Sequence, residues 1–174
     1  GGGGRAAILT TKGGSESLKP EGSRQDVEES LQNLKTDYID LYRSHWPSHD
    51  IPIETTWRAL ESLVRDGKVR ALGVSNFAVG DLSDLIEVGH AETNQMPYSL
   101  LWRAIEFEVL ELCNQRKIGL ICYAPLAQGL LTGRYATADE VPEGLARTRW
   151  YSSARPLVRP DEPGGMEVPH QDKP

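Results

Sequence analysis

Residues 37–46 read Asp-Tyr-Ile-Asp-Leu-Tyr-Arg-Ser-His-Trp, and residues 69–76 read Val-Arg-Ala-Leu-Gly-Val-Ser-Asn. Both are short runs rich in β-branched, aromatic and aliphatic side chains that close on polar residues, as buried strands do. Between them, Trp57, Leu60 and Val64 recur at helical spacing, and Gly67 offers a C-terminal stop. Strand, helix and strand in succession make a unit whose two strands must run parallel.

The unit repeats in both directions. Upstream, Arg5–Thr11 is an apolar strand ended by Lys12-Gly13-Gly14. A helix follows over Ser23–Lys35, with Val27, Leu31 and Leu34 on one face and Ser23 with Asp26 as its N-terminal cap. Downstream, Leu82, Leu85 and Ile86 mark a short helix and Thr93–Tyr98 a fourth strand. Ile105, Val109, Leu112 and Cys113 line a helix to about Lys117, and Ile118–Tyr123 is a fifth strand. This alternation predicts an α/β fold, either an open doubly wound sheet or a (β/α)8 barrel. No Gly-x-Gly-x-x-Gly follows the first strand, which counts against the dinucleotide-binding sheet. Gly1–Gly4 precede a strand, not a helix, so they form no phosphate cradle. In the barrel, chemistry gathers where strands end. Lys12, His45, Ser75, Asn76, Gln95 and Tyr123 all fall at or near such ends.

Composition narrows the class. The chain has 174 residues, with 19 Lys and Arg against 25 Asp and Glu, for a net charge of −6. That length fits one domain with a sizeable core. The acidic balance disfavours a nucleic-acid partner, which selects for a basic stripe. No apolar run reaches the roughly 18 residues of a transmembrane helix, and no signal peptide opens the chain. Two cysteines, Cys113 and Cys122, cannot build a disulfide framework. They read as reduced core thiols, one on a helix and one on a strand, in a cytoplasmic protein. The four opening glycines without a Met suggest a fragment. Residues 136–174 hold six of the 11 prolines and no sustained period. The chain therefore divides into a domain over 1–135 and a loop-like tail over 136–174, truncated or disordered.

Taken singly, each polar residue has an ordinary explanation. Lys12 can be a solvent-seeking strand flank. His45 can be structural. It lies four residues from His49, but Pro47 breaks any helix that would pair them on a metal, so no metal site is expected. Ser75-Asn76 can be a turn, Gln95 a satisfied core amide, and Tyr123-Ala124-Pro125 a strand end with a proline stop.

Taken together, they are more specific. Lys12 after a strand, Leu-Tyr-Arg-Ser-His45-Trp-Pro, Leu-Gly-Val-Ser75-Asn76-Phe, Asn-Gln95-Met-Pro-Tyr98-Ser and Tyr123-Ala-Pro-Leu-Ala-Gln-Gly-Leu-Leu-Thr-Gly-Arg134-Tyr occur in one order. The set resembles the aldo/keto reductase superfamily over roughly residues 5–160. It is most similar in style to the bacterial-type reductases related to potassium-channel beta subunits. The resemblance implies a (β/α)8 barrel that binds NADPH and passes a hydride to a small aldehyde or ketone. About five of eight strands are represented, the third to the seventh. It implies that Lys12 lowers the pKa of a tyrosine acid and that His45 orients the carbonyl. Ser75, Asn76 and Gln95 would bond the nicotinamide carboxamide, and Tyr123 would stack on the ring. Ala124, Pro125, Leu126, Ala127 and Gln128 would line the pyrophosphate path, and Arg134 would reach the phosphates. Ala124 stands where many relatives have Ser.

The family's catalytic Asp and Tyr precede the strand ending in Lys12, and residues 1–11 contain neither. The last strand, with its segment that grips the 2′-phosphate, has no match. Three readings follow: a reductase represented by an incomplete chain, an NADPH-binding regulatory module of beta-subunit type, or a truncated gene remnant. Substrate, the choice of NADPH over NADH and oligomeric state are not legible.

Overall fold

A computed structural model describes residues 7–14, 19–48, 50–137 and 140. The chain divides into two compact units, one of residues 1–98 and 102–123, the other of residues 99–101 and 124–174.

The first unit alternates strand and helix. Strand β1 spans Thr10–Gly13, α1 Pro20–Leu34, β2 Ile39–Ser44, α2 Ile53–Arg65, β3 Val69–Ser75, α3 Val79–Val88, β4 Thr93–Pro97, α4 Val109–Arg116 and β5 Gly119–Tyr123. The five strands lie in chain order and every neighbouring pair is parallel. A doubly wound sheet reverses its strand order partway across. Unbroken sequential order is the barrel arrangement.

Several expected boundaries move, and Ile105, read as part of the helix to about Lys117, falls in a separate 3-10 turn, Ala104–Glu106, ahead of α4. The first strand begins at Thr10, not Arg5. Ahead of it the Leu9 N–H bonds to the Asp40 carboxylate, 2.9 Å away, while the Leu9 carbonyl accepts from the Asp40 and Leu41 N–H groups. Arg5 and Ala6 lie outside the described residues. Helix α1 begins at Pro20, so Ser23 sits buried in its first turn and is not its cap. Proline at the first helical position sets φ for the helix and sacrifices an N–H that had no partner there. The stop after α2 falls as the sequence predicts. Gly67 has φ +75°, its N–H bonds to Val64, and the next N–H bonds to Leu63. This left-handed closure costs glycine nothing.

The sheet has two distinct faces. Tyr42 and Ser44 turn toward α1 and α2, lining a small space with Ser23, Thr56 and Leu60. By register, Leu72 and Val74 share that side. The core packs here: Val27, Leu31, Tyr42, Trp57, Leu60, Leu72, Val74, Leu82 and Leu85 are all buried. Burying these side chains is the main driving force of the unit, at about 1.5–3 kcal/mol for each large aliphatic or aromatic group. The opposite face carries Lys12, Arg43, Gly73, Ser75, Thr93, Gln95 and Tyr123, by strand alternation and register. Gly73 is required there. A Cβ at Gly73 would collide with Thr93 Oγ1 and stand 3.0 Å from Arg43 Cγ.

Cys113 is buried in the core as expected, but Cys122 is exposed. Cys122 lies on the helix-facing side of β5, in register with Met96, at the last strand of the sheet. No helix among the described residues is long and apolar enough to cross a membrane.

Candidate active site

Parallel strands in one order bring all their C-terminal ends to one edge of the sheet. Residues distant in sequence meet there without any special device. Lys12 in β1 pairs in register with Arg43 in β2, Ser75 in β3 with Gln95 in β4, and Pro97 with Tyr123 in β5. His45 and Asn76 follow immediately after β2 and β3.

The side chains connect. Lys12 Nζ is 3.3 Å from His45 Nε2. A protonated Lys12 donates in that contact, so Nε2 accepts. The His45 carbonyl accepts from Asn76 Nδ2 at 3.0 Å. The same nitrogen donates to Ser75 Oγ at 3.2 Å, and the Ser75 hydroxyl donates to the Gln95 carbonyl at 3.0 Å. Asn76 Oδ1 accepts from the Tyr123 hydroxyl at 2.7 Å. Six of the residues predicted from sequence therefore form one network across five strand ends. Asn76 holds a left-handed backbone with φ 64° while its N–H bonds to the Gln95 carbonyl at 2.9 Å. Asn is among the few non-glycine residues that adopt this conformation readily.

Gln95 is not the satisfied amide of the ordinary reading. Its Oε1 is buried with no hydrogen-bond partner among the described residues. An orphaned acceptor beside a row of bonded polar groups is what a ligand's N–H donor would fill.

The remaining predicted residues belong to the second unit. Ala124, Ala127 and Gln128 all have positive φ, at 52°, 48° and 54°. Three L-residues in that region within five positions is backbone strain of the kind that gathers at binding loops. Pro125 and Leu126 are exposed, and Ala127 is buried at the start of a 3-10 segment running to Thr132. Arg134 is exposed, with its guanidinium 5.6 Å above the Tyr135 ring.

Sequence reading overlooked two features. Arg43 is 7% exposed, and its Nε has no acceptor among the described residues. Burial pushes its guanidinium pKa down. Its signal was parity: a residue two before His45 on a strand shares that face of the sheet. The second feature is the loop after β4. Arg103 grips Glu106 through two nitrogens, and the Tyr98 hydroxyl donates to Glu106 at 2.6 Å. These bonds hold the Glu106 carboxyl below the usual carboxylate range, the Arg103 contact contributing most. Among the described residues no three His, Cys, Asp or Glu side chains group to hold a metal ion.

The comparisons with known proteins bear on the family and the fold. The sequence profile of the Aldo/keto reductase family matches residues 4–157. An NADH-specific methylglyoxal reductase of Escherichia coli is 40% identical over 140 residues, 78% of this chain and 43% of that protein. A glyoxal reductase of Bacillus subtilis is 35% identical over 169 residues, 95% of this chain and 58% of its own length. An aldo/keto reductase of Klebsiella pneumoniae solved with NADP and acetate superposes with a TM-score of 0.69 at 35% identity. That match covers 77% of this chain and 48% of the other. The chain spans about half the length of the curated relatives it matches. Its sequentially ordered parallel sheet is part of the (β/α)8 barrel those structures share. A family profile over most of the chain, relatives of this identity and the shared barrel lead to one assignment: the chain belongs to the aldo/keto reductase family.

Proposed function

We propose that this chain is part of an NADPH-dependent oxidoreductase of the cytoplasm that reduces a small aldehyde or ketone to an alcohol. The relatives are named as glyoxal and methylglyoxal reductases, which favours reactive carbonyl compounds as the substrate class. The domain doing this work is residues 1–135. The single observation that carries the reading is the Lys12–His45 contact at 3.3 Å, joined through Asn76 to Tyr123.

The residues fit a nicotinamide cofactor. Gln95 Oε1 offers an unpartnered buried acceptor, Asn76 and Ser75 present amide and hydroxyl groups, and Tyr123 offers an aromatic face. Ala124 to Gln128 and Arg134 would hold the phosphates. When bound, the cofactor supplies the hydride.

The chain's own residues manage charge. Reduction leaves negative charge on the carbonyl oxygen, and fixed donors lower the cost of that charge. Lys12 places a cation at the site, which stabilises any neighbouring anion and lowers the pKa of a neighbouring phenol from its usual ~10. His45 is held by Lys12 at Nε2 and by Asn76 at its carbonyl, which orients the imidazole toward the edge where a carbonyl would arrive. Residues 1–11 contain neither Asp nor Tyr, so this chain alone turns over slowly.

The test pairs binding with turnover. NADPH fluorescence titration of the purified chain should show saturable binding that Tyr123→Ala weakens by roughly 1–3 kcal/mol, by analogy with lost base stacking. Incubation with NADPH and 4-nitrobenzaldehyde should give turnover far below about 1 s⁻¹. Absence of NADPH binding would overturn the proposed cofactor. Fast turnover abolished by Lys12→Met would show that the acid lies within this chain.

A further inference from the structure

We propose that Arg43 is a carboxylate-binding residue on the face of the sheet that carries Lys12, so that the site takes short 2-oxo acids, carbonyl compounds with a carboxylate beside the reducible group. The inference rests on the reductase reading above and narrows its substrate class.

The charge balance of the sheet carries the argument. Asp40 is the single acid in the five strands. Strand alternation sets it on the helix-facing side, where it accepts from the Leu9 N–H and from Arg70. Lys12 and Arg43 lie in register on the opposite face, on neighbouring strands about 4.8 Å apart. That face therefore brings two cations together, and its own strands supply no carboxylate. Lys12 is in contact with His45. Arg43 is buried, its Nε has no acceptor, and no carboxylate stands beside its guanidinium among the described residues. A buried charge kept without a partner weakens the fold, and local costs of this kind gather where a ligand is met.

The surroundings suit an anion. The Arg43 stem and the Thr93 hydroxyl meet over Gly73, where an added Cβ would stand 3.0 Å from Arg43 Cγ and collide with Thr93 Oγ1. Thr93 Oγ1 is itself buried without a partner, so its proton is free to turn toward an acceptor. Gln95 Oε1 is unpartnered as well. A half-turn of that amide breaks no bond at the oxygen and presents two N–H donors in its place. A carboxylate laid against Nε and one outer nitrogen of Arg43 forms the bidentate pair that a guanidinium makes best.

The spacing sets the size of the ligand. Arg43 lies two residues before His45, about 6.6 Å along the strand. A carbonyl held at His45 and a carboxylate held at Arg43 therefore belong to one short molecule. In its reduction by NADPH the carbonyl carbon gains the hydride and the carbonyl oxygen gains a proton from the medium. The products are a 2-hydroxy acid and NADP+. The carboxylate is unchanged and serves as a handle.

The test titrates the purified chain by calorimetry with oxamate, a 2-oxo acid mimic that is not reduced, and with its neutral diamide, oxamide. NADPH is titrated separately. The chain should bind oxamate at least about 10-fold more tightly than oxamide, the worth of one charge-assisted hydrogen bond. Arg43→Met should weaken oxamate binding by at least about 30-fold, as truncating one side of a buried charged pair does. Arg43→Lys keeps the charge without the bidentate fork, so its loss should fall between the two. Equal binding of oxamate and oxamide, or oxamate binding that Arg43→Met leaves intact, would overturn the proposal. So would displacement of oxamate by chloride at equal concentration, which marks a general anion site. If NADPH binds and oxamate does not, the carboxylate site fails and the reductase reading stands. If oxamate binds through Arg43 and NADPH does not bind, the carboxylate site stands and the reductase reading fails.

Discussion

Replacing Arg43 with Met should stabilise this chain. Arg43 lies on the face of the sheet that carries Lys12 and Gln95, is 7% exposed, and has an Nε with no acceptor among the described residues. Burial alone accounts for the lowered pKa, with no carboxylate countering it. A guanidinium held largely out of water with no carboxylate beside it carries a desolvation cost, and even buried ion pairs often gain about 1–4 kcal/mol when replaced by apolar groups of similar volume. Methionine keeps most of the stem that packs over Gly73 and adds no polar atom. For a urea m-value of about 2 kcal/mol/M, the midpoint should rise by about 0.5–2 M. The assay is a urea melt at low micromolar protein followed by tryptophan fluorescence, since Trp57 is buried in the core. Arg43→Ala separates the two effects, because it removes the charge but also the packing, so its gain should be smaller. A fall in midpoint for Arg43→Met would refute the reasoning and show that an anion compensates the guanidinium.

Other outcomes follow from the same geometry. Gly73→Ala should cost about 1–3 kcal/mol, read as a lower urea midpoint, because the added methyl collides with Thr93 Oγ1; an unchanged midpoint would mean the strands separate freely there. Among the described residues β1 and β5 each pair on one side only, and Ile8 just before β1 is 78% exposed. The chain should therefore self-associate through these edges, and a monomeric size-exclusion peak with one sharp unfolding transition would contradict this. The loop after β4 should loosen in acid. Glu106 is held below the usual carboxylate range by Arg103 and then Tyr98, so its contribution is full above the unfolded-state pKa of about 4 and fades as pH falls through the lower folded value. Amide exchange over residues 98–106 should show that acid loosening, and Glu106→Gln should abolish its pH dependence.

Most of the fold was legible because its signals are local. Val69–Val74 and Ile118–Tyr123 could be read as strands from apolar runs of the right length, and the Trp57, Leu60, Val64 spacing as a helix. The errors fell where a distant residue decides. β1 starts at Thr10, and just ahead of it the Leu9 N–H bonds to the Asp40 carboxylate of another strand while its carbonyl accepts from β2. Cys122 is exposed although its strand reads as apolar, because exposure is set by what packs on the strand and not by the run itself. Neither can be seen in a window of ten residues.

The site was legible for a different reason. Once strands are known to be parallel and sequential, their C-terminal residues are neighbours by topology, so Lys12, His45, Asn76 and Tyr123 could be grouped before any distance was known. What topology cannot supply is the state of each atom. It places Gln95 at the site but does not show that its Oε1 lacks a partner while Ser75 has spent its proton. It places Arg43 two residues from His45 but not its burial without an acid. The chemistry of the edge therefore depends on a second level of information, the donor and acceptor balance. On that balance the edge holds bonded groups, Asn76, Ser75 and Tyr123, beside an unpartnered acceptor at Gln95 Oε1 and an unpartnered donor at Arg43 Nε, with Lys12 against the imidazole. Such an edge suits a ligand that donates hydrogen bonds on one side and develops negative charge on the other, as an amide-bearing cofactor beside a carbonyl under reduction does.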